Sequence, residues 1–437
     1  MESTEIIELD ITPAQQGTYF TVSFVVPANT GRLHVSYDYP RYDQDVNENQ
    51  IGTFVAQPEI NIIDLGLISP NGKQVGASGS DKKDFFVTEN NATPGYNPTK
   101  LVAGEWMIMV GAYKIAPQGC HVFYEIELFE KEESYLKGDL HTHTLASDGV
   151  YTVAELAYKA MGSGLNFLAI TDHNQMVSKA SFPEIQGLTL IPGIEWTHYQ
   201  GHANFLGLDQ PYDEPFATNT FEEASSKFQS ARQRGALISI NHPFDELCGF
   251  QFDLTKLPFD CIEVWNGPMR ESNIRAVGFW HNMLVSGKKI PMCGGSDYHR
   301  DTPFIFLGGP TTTVLAWSSS PDDILDAVRK GISYLAFAPN APVLEFSAGD
   351  IHLGGTVKWK DEKEAHVKVD GLLSGDVVRV ITNTNADVIL QAPNRGNLDV
   401  HYPMKSPGFA RIEILRAFLP GLPMLPALLS NPIYFES

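Results

Sequence analysis

The chain has 437 residues, of which 43% are apolar and 19% charged, and a formal net charge of −21. Such a length holds two or three domains with sizeable cores. The acidity, with no Lys/Arg cluster, excludes the basic footprint that nucleic acid needs and disfavours docking on an anionic membrane, while a small anionic substrate stays open because a bound cation outweighs the global field.

Residues 1 to about 133 read as all β. Thr18 to Val25 alternates and stops at Pro27, Arg32 to Tyr37 follows a Gly31 turn, and Asn61 to Ile68 ends at Ser69-Pro70-Asn71-Gly72. Trp106 to Val110 and Val122 to Leu128 complete the set, and 78 to 100 reads as a long surface loop. Short strands with turn punctuation and no helical period point to a β-sandwich. The charged run Glu130 to Glu133 marks a boundary.

Beyond it, strands alternate with helices. Thr152-Val153-Ala154-Glu155 is a capping box opening a helix that stops near Gly162, and Asn166 to Ile170 and Leu188 to Ile191 are strands. Thr220 to Glu223 is a second capping box, with its helix ending at Gly235 before the strand Ala236 to Ile240. Cys261 to Trp265 is a strand, a helix runs from about Glu271 to Ser286, Ile290 to Cys293 is a strand, and Ser320 caps a last helix stopped by Gly331. Repeated βα units imply a parallel, mainly buried sheet, closed as a barrel or open. After about Asn340 the pattern returns to strands, among them Val343 to Phe346, His366 to Val369, Val377 to Ile381 and Phe409 to Leu415. The expected domains are 1–133, 134–340 and 341–437, the last a smaller β-domain.

No run suits a bilayer: Ile414 to Leu429 is broken by Pro420, Pro423 and Pro426. Cys120, Cys248, Cys261 and Cys293 form no C-x-x-C pair, and Glu2, Glu5, Glu8 and Asp10 stand where a secretory signal would be basic and then apolar. Reduced thiols and a cytoplasmic location are the expectation.

Side chains that do chemistry in an αβ barrel gather where strands end. The strand into Leu140 runs on to His141 and His143, an i, i+2 pair that faces one side. Asp148 follows in the next loop. Other strand ends carry Asp172-His173, Glu195, His242-Pro243, and the pair Asp297 and His299. Of the two histidines after Glu195, His202 is favoured over His198 as the one facing the site. Imidazole and carboxylate converging from five strand ends make a polynuclear metal site and hydrolysis the first reading.

The ordered set His-x-His, Asp148, Thr-Asp-His, Gly-x-Glu, Asn-His-Pro and Ser-Asp-x-His resembles the PHP (polymerase and histidinol phosphatase) superfamily, over about residues 136 to 340. The flanking β-domains, Gly201-His202-Ala203-Asn204 and Ser430-Asn431-Pro432-Ile433-Tyr434 are similar to its CehA/McbA hydrolase branch. The resemblance implies a distorted (β/α)7 barrel, flanked by the two β-domains, with two or three divalent ions. It implies one ion on His141, His143, Glu195 and Asp297, a second sharing Glu195 with His242 or His202, and a third on Asp148, His173 and His299. The family often has a Cys or His at one further second-ion position, to which no residue is matched.

Mixed imidazole and carboxylate shells suit zinc, manganese or iron. The mechanism expected is attack by a metal-bridging hydroxide on a small phosphorylated molecule. Asp172 is expected to orient His173, Asn266 to contact substrate, and Arg300 to bind a phosphate or carboxylate. A carboxylic or carbamic ester substrate is the alternative within hydrolysis. From another class, the chain is a β-sandwich binding protein with a structural metal site. A polymerase-associated editing domain, suggested only by the superfamily name, is disfavoured by the acidity.

Overall fold

The structure is a computed structural model that describes residues 3–42, 58–89, 91–212 and 214–437. Glu2, and Asn90 within the stretch 78–100, lie outside these residues. The chain divides into two compact units, Met1–Glu133 and Ser134–Ser437.

The first unit contains strands β1 (Ser3–Ile11), β2 (Thr18–Val26), β3 (Thr30–Asp38), β4 (Ile62–Ile68), β5 (Gln74–Ser78), β6 (Asp84–Thr88), β7 (Gly104–Lys114) and β8 (Cys120–Glu130). They form two antiparallel sheets, ordered β1-β8-β3-β6 and β2-β7-β4-β5. Alternate residues of both sheets meet in one core, Leu33, Val35, Tyr124 and Ile126 from the first, Leu65, Leu67, Ile108 and Val110 from the second. This is the period-2 burial of a sandwich. The stretch 78–100 is not wholly loop: Phe85 and Val87 point inward and Asp84–Thr88 pairs with β3. Strand β1 hides in the sequence because its residues are mostly exposed and acidic, yet it pairs with β8 along its whole length.

The second unit begins with β9 (Ser134–Asp139), α1 (Val153–Gly162), β10 (Phe167–Ile170), β11 (Thr189–His198), β12 (Gly201–Leu206), α2 (Phe221–Gln233), β13 (Leu237–Ile240), β14 (Cys261–Asn266), α3 (Glu271–Val285) and β15 (Met292–Gly295). The expected capping boxes form at Thr152 with Glu155 and at Thr220 with Glu223. Strands β9 to β15 are consecutive neighbours. Their two ends meet beyond the ladder, where Asp297 N–H donates to His141 O and His143 N–H to Tyr298 O, each at 2.9 Å. The layout departs from a regular (β/α)7 ring at β11, β12 and β13, which pair antiparallel. An antiparallel hairpin needs no crossover helix, so no helix separates β11 from β12.

Then come β16 (Thr311–Ala316), α4 (Pro321–Lys330), β17 (Ser333–Ala336), β18 (Val343–Ala348), β19 (Ile351–His352), β20 (Thr356–Lys358), β21 (Glu364–Leu372), β22 (Val377–Thr382), β23 (Ala386–Gln391), β24 (Gly396–Pro403), β25 (Gly408–Arg416), β26 (Leu425–Ser430) and β27 (Ile433–Glu436). Helix α4 is capped by Ser320 and ends at Gly331, whose φ of 72° is the left-handed conformation that glycine tolerates. Strand β16 pairs with β9, β17 with β16, and β26 with β17. Strands β20, β22, β23 and β25 to β27 therefore extend the same sheet, while β18, β19, β21 and β24 form a separate four-stranded sheet, and residues 134–437 make one compact unit in place of a division at residue 341. Asn431, fully buried, seals the join: its Oδ1 accepts Met292 N–H at 2.9 Å and its Nδ2 donates to Ser333 Oγ at 2.9 Å. No described helix is long and apolar enough to cross a membrane.

Candidate metal centre

The centre is built on strand ends that backbone contacts force together. Asp139, fully buried at the end of β9, accepts hydrogen bonds from Ser296 N–H at 2.9 Å, Gly308 N–H at 2.8 Å, His141 N–H at 3.2 Å and the Ser296 hydroxyl. That one carboxylate ties the end of β9 to the end of β15. The approach is so close that a Cβ at Gly295 would lie 2.4 Å from His141 Cβ, so only glycine fits there.

His141 and His143 leave β9 on the same side, both fully buried. His141 Nε2 lies 3.2 Å from Glu195 Oε1 and 3.4 Å from Asp297 Oδ1. His143 Nε2 lies 3.0 Å from Asp297 Oδ1 and 3.6 Å from Glu195 Oε2. Glu195 Oε1 lies 3.2 Å from His202 Nδ1 and 3.3 Å from His242 Nε2, and Oε2 lies 2.7 Å from His173 Nδ1. Asp148 Oδ1 lies 3.2 Å from His299 Nε2 and 3.7 Å from His173 Nε2, and the rings of His143 and His299 stack at 4.0 Å. All nine proposed ligands thus converge. His202 faces the cluster, while His198 stacks on Trp196 at 5.4 Å and accepts Gln200 N–H.

Several of these atoms are close without being hydrogen-bonded. His141 Nε2, both ring nitrogens of His143, Glu195 Oε2 and Asp297 Oδ1 are buried and lack a hydrogen-bond partner of proper geometry. Buried polar atoms left so are costly, and five in one place point at a common missing partner. Donor groups whose ligand atoms lie within 4.8 Å of one another are His141, His143 and Glu195; His141, His242 and Asp297; His173, Glu195 and His202; His143, Asp148, His173 and His299; and His202, His242 and Cys248. Imidazole, carboxylate and one thiol suit divalent zinc, manganese or iron.

Electrostatics agree with that reading. Burial would lower the His141 imidazole, but the carboxylates of Asp297, Glu263 and Glu195 hold it well above its usual range. Burial would raise Glu195, but the imidazoles of His141, His173 and His202 hold it well below. Asp297 follows the same balance against His141 and His143. The centre is a buried array of charge. Backbone strain concentrates there too: among the described residues four non-glycine residues have positive φ, and two are His242 at 26° and Asp297 at 53°.

Two expected roles change, and that of Arg300 stays open. Asp172 does not reach His173. Its carboxylate accepts Thr144 N–H at 2.7 Å, Thr144 Oγ1 at 2.8 Å and Ser147 Oγ at 2.6 Å, so it fixes the loop that carries Asp148. The Nδ1 of His173 is met instead by Thr197 Oγ1 at 2.7 Å and by Glu195. Asn266 is only 4% exposed, and its Nδ2 donates to Glu263 Oε2 at 3.1 Å and Asp297 Oδ2 at 3.3 Å, so its amide nitrogen braces the centre instead of meeting substrate. Arg300 is exposed beside His299 and donates to Asp148 O at 3.4 Å, so its guanidinium remains available at the rim.

Two residues escaped sequence reasoning. Cys248 Sγ sits 3.6 Å from His242 Nδ1, and Glu263 Oε1 sits 2.9 Å from His141 Nδ1. The signal for Glu263 was a lone acid inside the apolar strand Cys261–Asn266; Cys248 had none beyond its nearness to His242 in the chain.

No family model matches the chain. It is 39% identical over 166 residues to the 5'-3' exoribonuclease Rnm of Salmonella typhimurium, covering 35% of this chain and 50% of that protein. It is 29% identical over 107 residues to the 3',5'-nucleoside bisphosphate phosphatase of Chromobacterium violaceum, covering 23% of this chain and 37% of that protein. The matched stretches thus span half or less of these relatives. Among solved structures, a two-domain protein of Bacteroides vulgatus containing a predicted PHP-like metal-dependent phosphoesterase is 18% identical, covers 64% of this chain and 90% of its own, and has a TM-score of 0.40. The exoribonuclease name stands against the expectation that acidity excludes nucleic acid, although the match covers only half of that protein. A net charge summed over the chain does not set the potential at a site where cations gather.

Proposed function

We propose that the chain is a metal-dependent hydrolase of phosphate esters in the PHP superfamily. The observation that carries this reading is the set of unpartnered, buried nitrogen and oxygen atoms on His141, His143, Glu195 and Asp297, which converge from three separate segments of the chain. The exoribonuclease and bisphosphate phosphatase relatives support a phosphate ester over other substrates. Two or three divalent ions, zinc, manganese or iron, would be held by His141, His143, Glu195 and Asp297; by Glu195, His202 and His242; and by Asp148, His173 and His299. When bound, such ions supply Lewis acidity and a nucleophile at neutral pH.

The chain's own residues do the rest. Glu195 reaches five imidazoles and sets the spacing of the centre. Asp172 holds the loop of Asp148, and Asn266 steadies Asp297. Arg300, exposed at the rim, binds a non-bridging phosphoryl oxygen.

The test is direct. Protein purified without added metal should contain two or three equivalents of transition metal by elemental analysis and should hydrolyse p-nitrophenyl phosphate or bis-p-nitrophenyl phosphate. Less than one equivalent, with no activity restored by Mn²⁺ or Zn²⁺, sinks the proposal. The narrower placement in the CehA/McbA branch rests on Gly201-His202-Ala203-Asn204 and Ser430 to Tyr434; turnover of p-nitrophenyl acetate with none of the phosphate esters would favour that branch and a carboxylic or carbamic ester.

A further inference from the structure

Glu263 has no part in the ligand groups just described, yet it touches two of the strand ends that bear them and reaches a third through Asn266. It leaves the middle of β14, is 2% exposed, and has no lysine or arginine partner among its contacts. Its Oε1 lies 2.9 Å from His141 Nδ1. Its Oε2 accepts His242 N–H at 2.9 Å and Asn266 Nδ2 at 3.1 Å. Asn266 in turn reaches Asp297 Oδ2 at 3.3 Å. A buried carboxylate is costly unless hydrogen-bonded, and here all its contacts lead to the centre.

We propose that Glu263 is the positioning carboxylate of this centre: it holds a proton of His141 on Nδ1, so that Nε2 is the nitrogen left to bind an ion beside Glu195 and Asp297, and it pins the left-handed backbone of His242. The inference rests on the metal reading for its consequence, but the contact itself does not. An imidazole whose distal nitrogen donates to a carboxylate has a fixed tautomer, a fixed ring orientation and a more basic second nitrogen. His143 shows the contrast: neither of its ring nitrogens has a hydrogen-bond partner of proper geometry. One ligand of the pair therefore has a carboxylate at its Nδ1, and the other has none there. The backbone bond to His242 extends the same control to a second ligand, since a φ of 26° is unfavourable for a residue with a Cβ and persists where the surroundings hold it.

Two measurements decide the matter. The first is nitrogen-15 NMR of histidine-labelled, metal-free protein, with the His141 signal identified by its loss in His141→Ala. The wild type should show a strongly hydrogen-bonded proton on Nδ1, and Glu263→Gln should lose that signature; a wild-type His141 whose only ring proton is on Nε2, or whose Nδ1 proton is not hydrogen-bonded, overturns the proposal whatever the protein's metal content. The second is competition of Co²⁺ between the protein and a chromophoric chelator. Glu263→Gln should weaken the tightest site about 10- to 100-fold and alter the cobalt absorption bands, and the loss in the double variant with His141→Ala should fall short of the sum of the two single losses. Unchanged affinity and bands, or additive losses, overturn it. If wild-type protein binds no cobalt, the metal reading fails and the NMR result alone judges Glu263. If Glu263→Gln does not fold, the wild-type tautomer decides, and Glu263→Asp, which keeps the charge but shortens the reach, should give a partial version of the same shifts.

Discussion

The Sγ of Cys248 lies 3.6 Å from Nδ1 of His242, with His202 completing a group of three potential donors. Cys248 is half-buried and has no disulfide partner. A thiolate at this corner favours a soft ion such as Zn²⁺ over Mn²⁺. Cys248→Ser should therefore lower zinc affinity by about tenfold or more while leaving manganese affinity within a few-fold. Isothermal titration of metal-free protein with each ion checks this, and equal losses for both would show that the thiol acts only through packing.

Asp172 gives a second prediction. Its three hydrogen bonds fix residues 144 to 147, just before Asp148. A Cβ at Gly149 would lie 2.4 Å from the His143 carbonyl oxygen, so the loop has little room for another path. Asp172→Ala should loosen Asp148 and remove one metal equivalent, that of the Asp148, His173 and His299 group, while the His141 and His143 ion stays. Elemental analysis after dialysis reads this as a fall of one equivalent; loss of all metal would instead mean that the change unfolds the centre.

Asp139 carries a pH signature. Burial pushes its carboxyl up to about 6, against the donors Ser296, Gly308 and His141, from an ordinary value of 3.8. A folded-state value above the unfolded one means that the native state prefers the proton. This group's favourable contribution is full below pH 3.8 and is lost as pH rises through about 6. The loss is about 3 kcal/mol. Asp139→Asn cannot ionise, so the difference in unfolding free energy between wild type and variant should shrink as pH rises across this window. It is measured by urea unfolding of metal-free protein at several pH values; a difference independent of pH would refute the assignment.

The centre was more legible than the frame around it. His141, His143, Glu195, His242, Asp297 and His299 could be found because each follows an apolar run, and strand ends are where a sheet of this kind exposes side chains. What local pattern could not give was the partner of each polar group. Asp172 sits beside His173 in sequence but spends its carboxylate on Thr144 and Ser147, and Asn266 turns inward to Asp297. Glu263 and Cys248 enter only through contacts across many residues of chain. In the fold, α1, α2 and α4 were readable from caps and stops, whereas α3 starts after Arg270 without a side-chain cap. Strands β1 and β6 were not, because one is an acidic edge strand and the other is short and flanked by polar turns.

The join between β17 and β26 supplies the last prediction. Trp280 on α3 is fully buried, its Nε1 donates to Ile290 O at 2.8 Å, and the Arg411 guanidinium lies 5.2 Å from its ring centroid. It shares one core with Val264 and Met292 on one side and Phe409, Leu429 and Tyr434 on the other. Phe409, Leu429 and Tyr434 therefore complete the core shared by α3, β14 and β15. Trp280→Ala should cost about 3–5 kcal/mol, and residues 134–437 should still unfold in one transition. A chain ending at Asn340 exposes Trp280, Leu335 and the open edge of β17, and should be insoluble or molten when expressed. Calorimetry of residues 134–437 and circular dichroism of 134–340 check both. A soluble, cooperatively folding 134–340 fragment that binds metal would restore an independent carboxy-terminal domain.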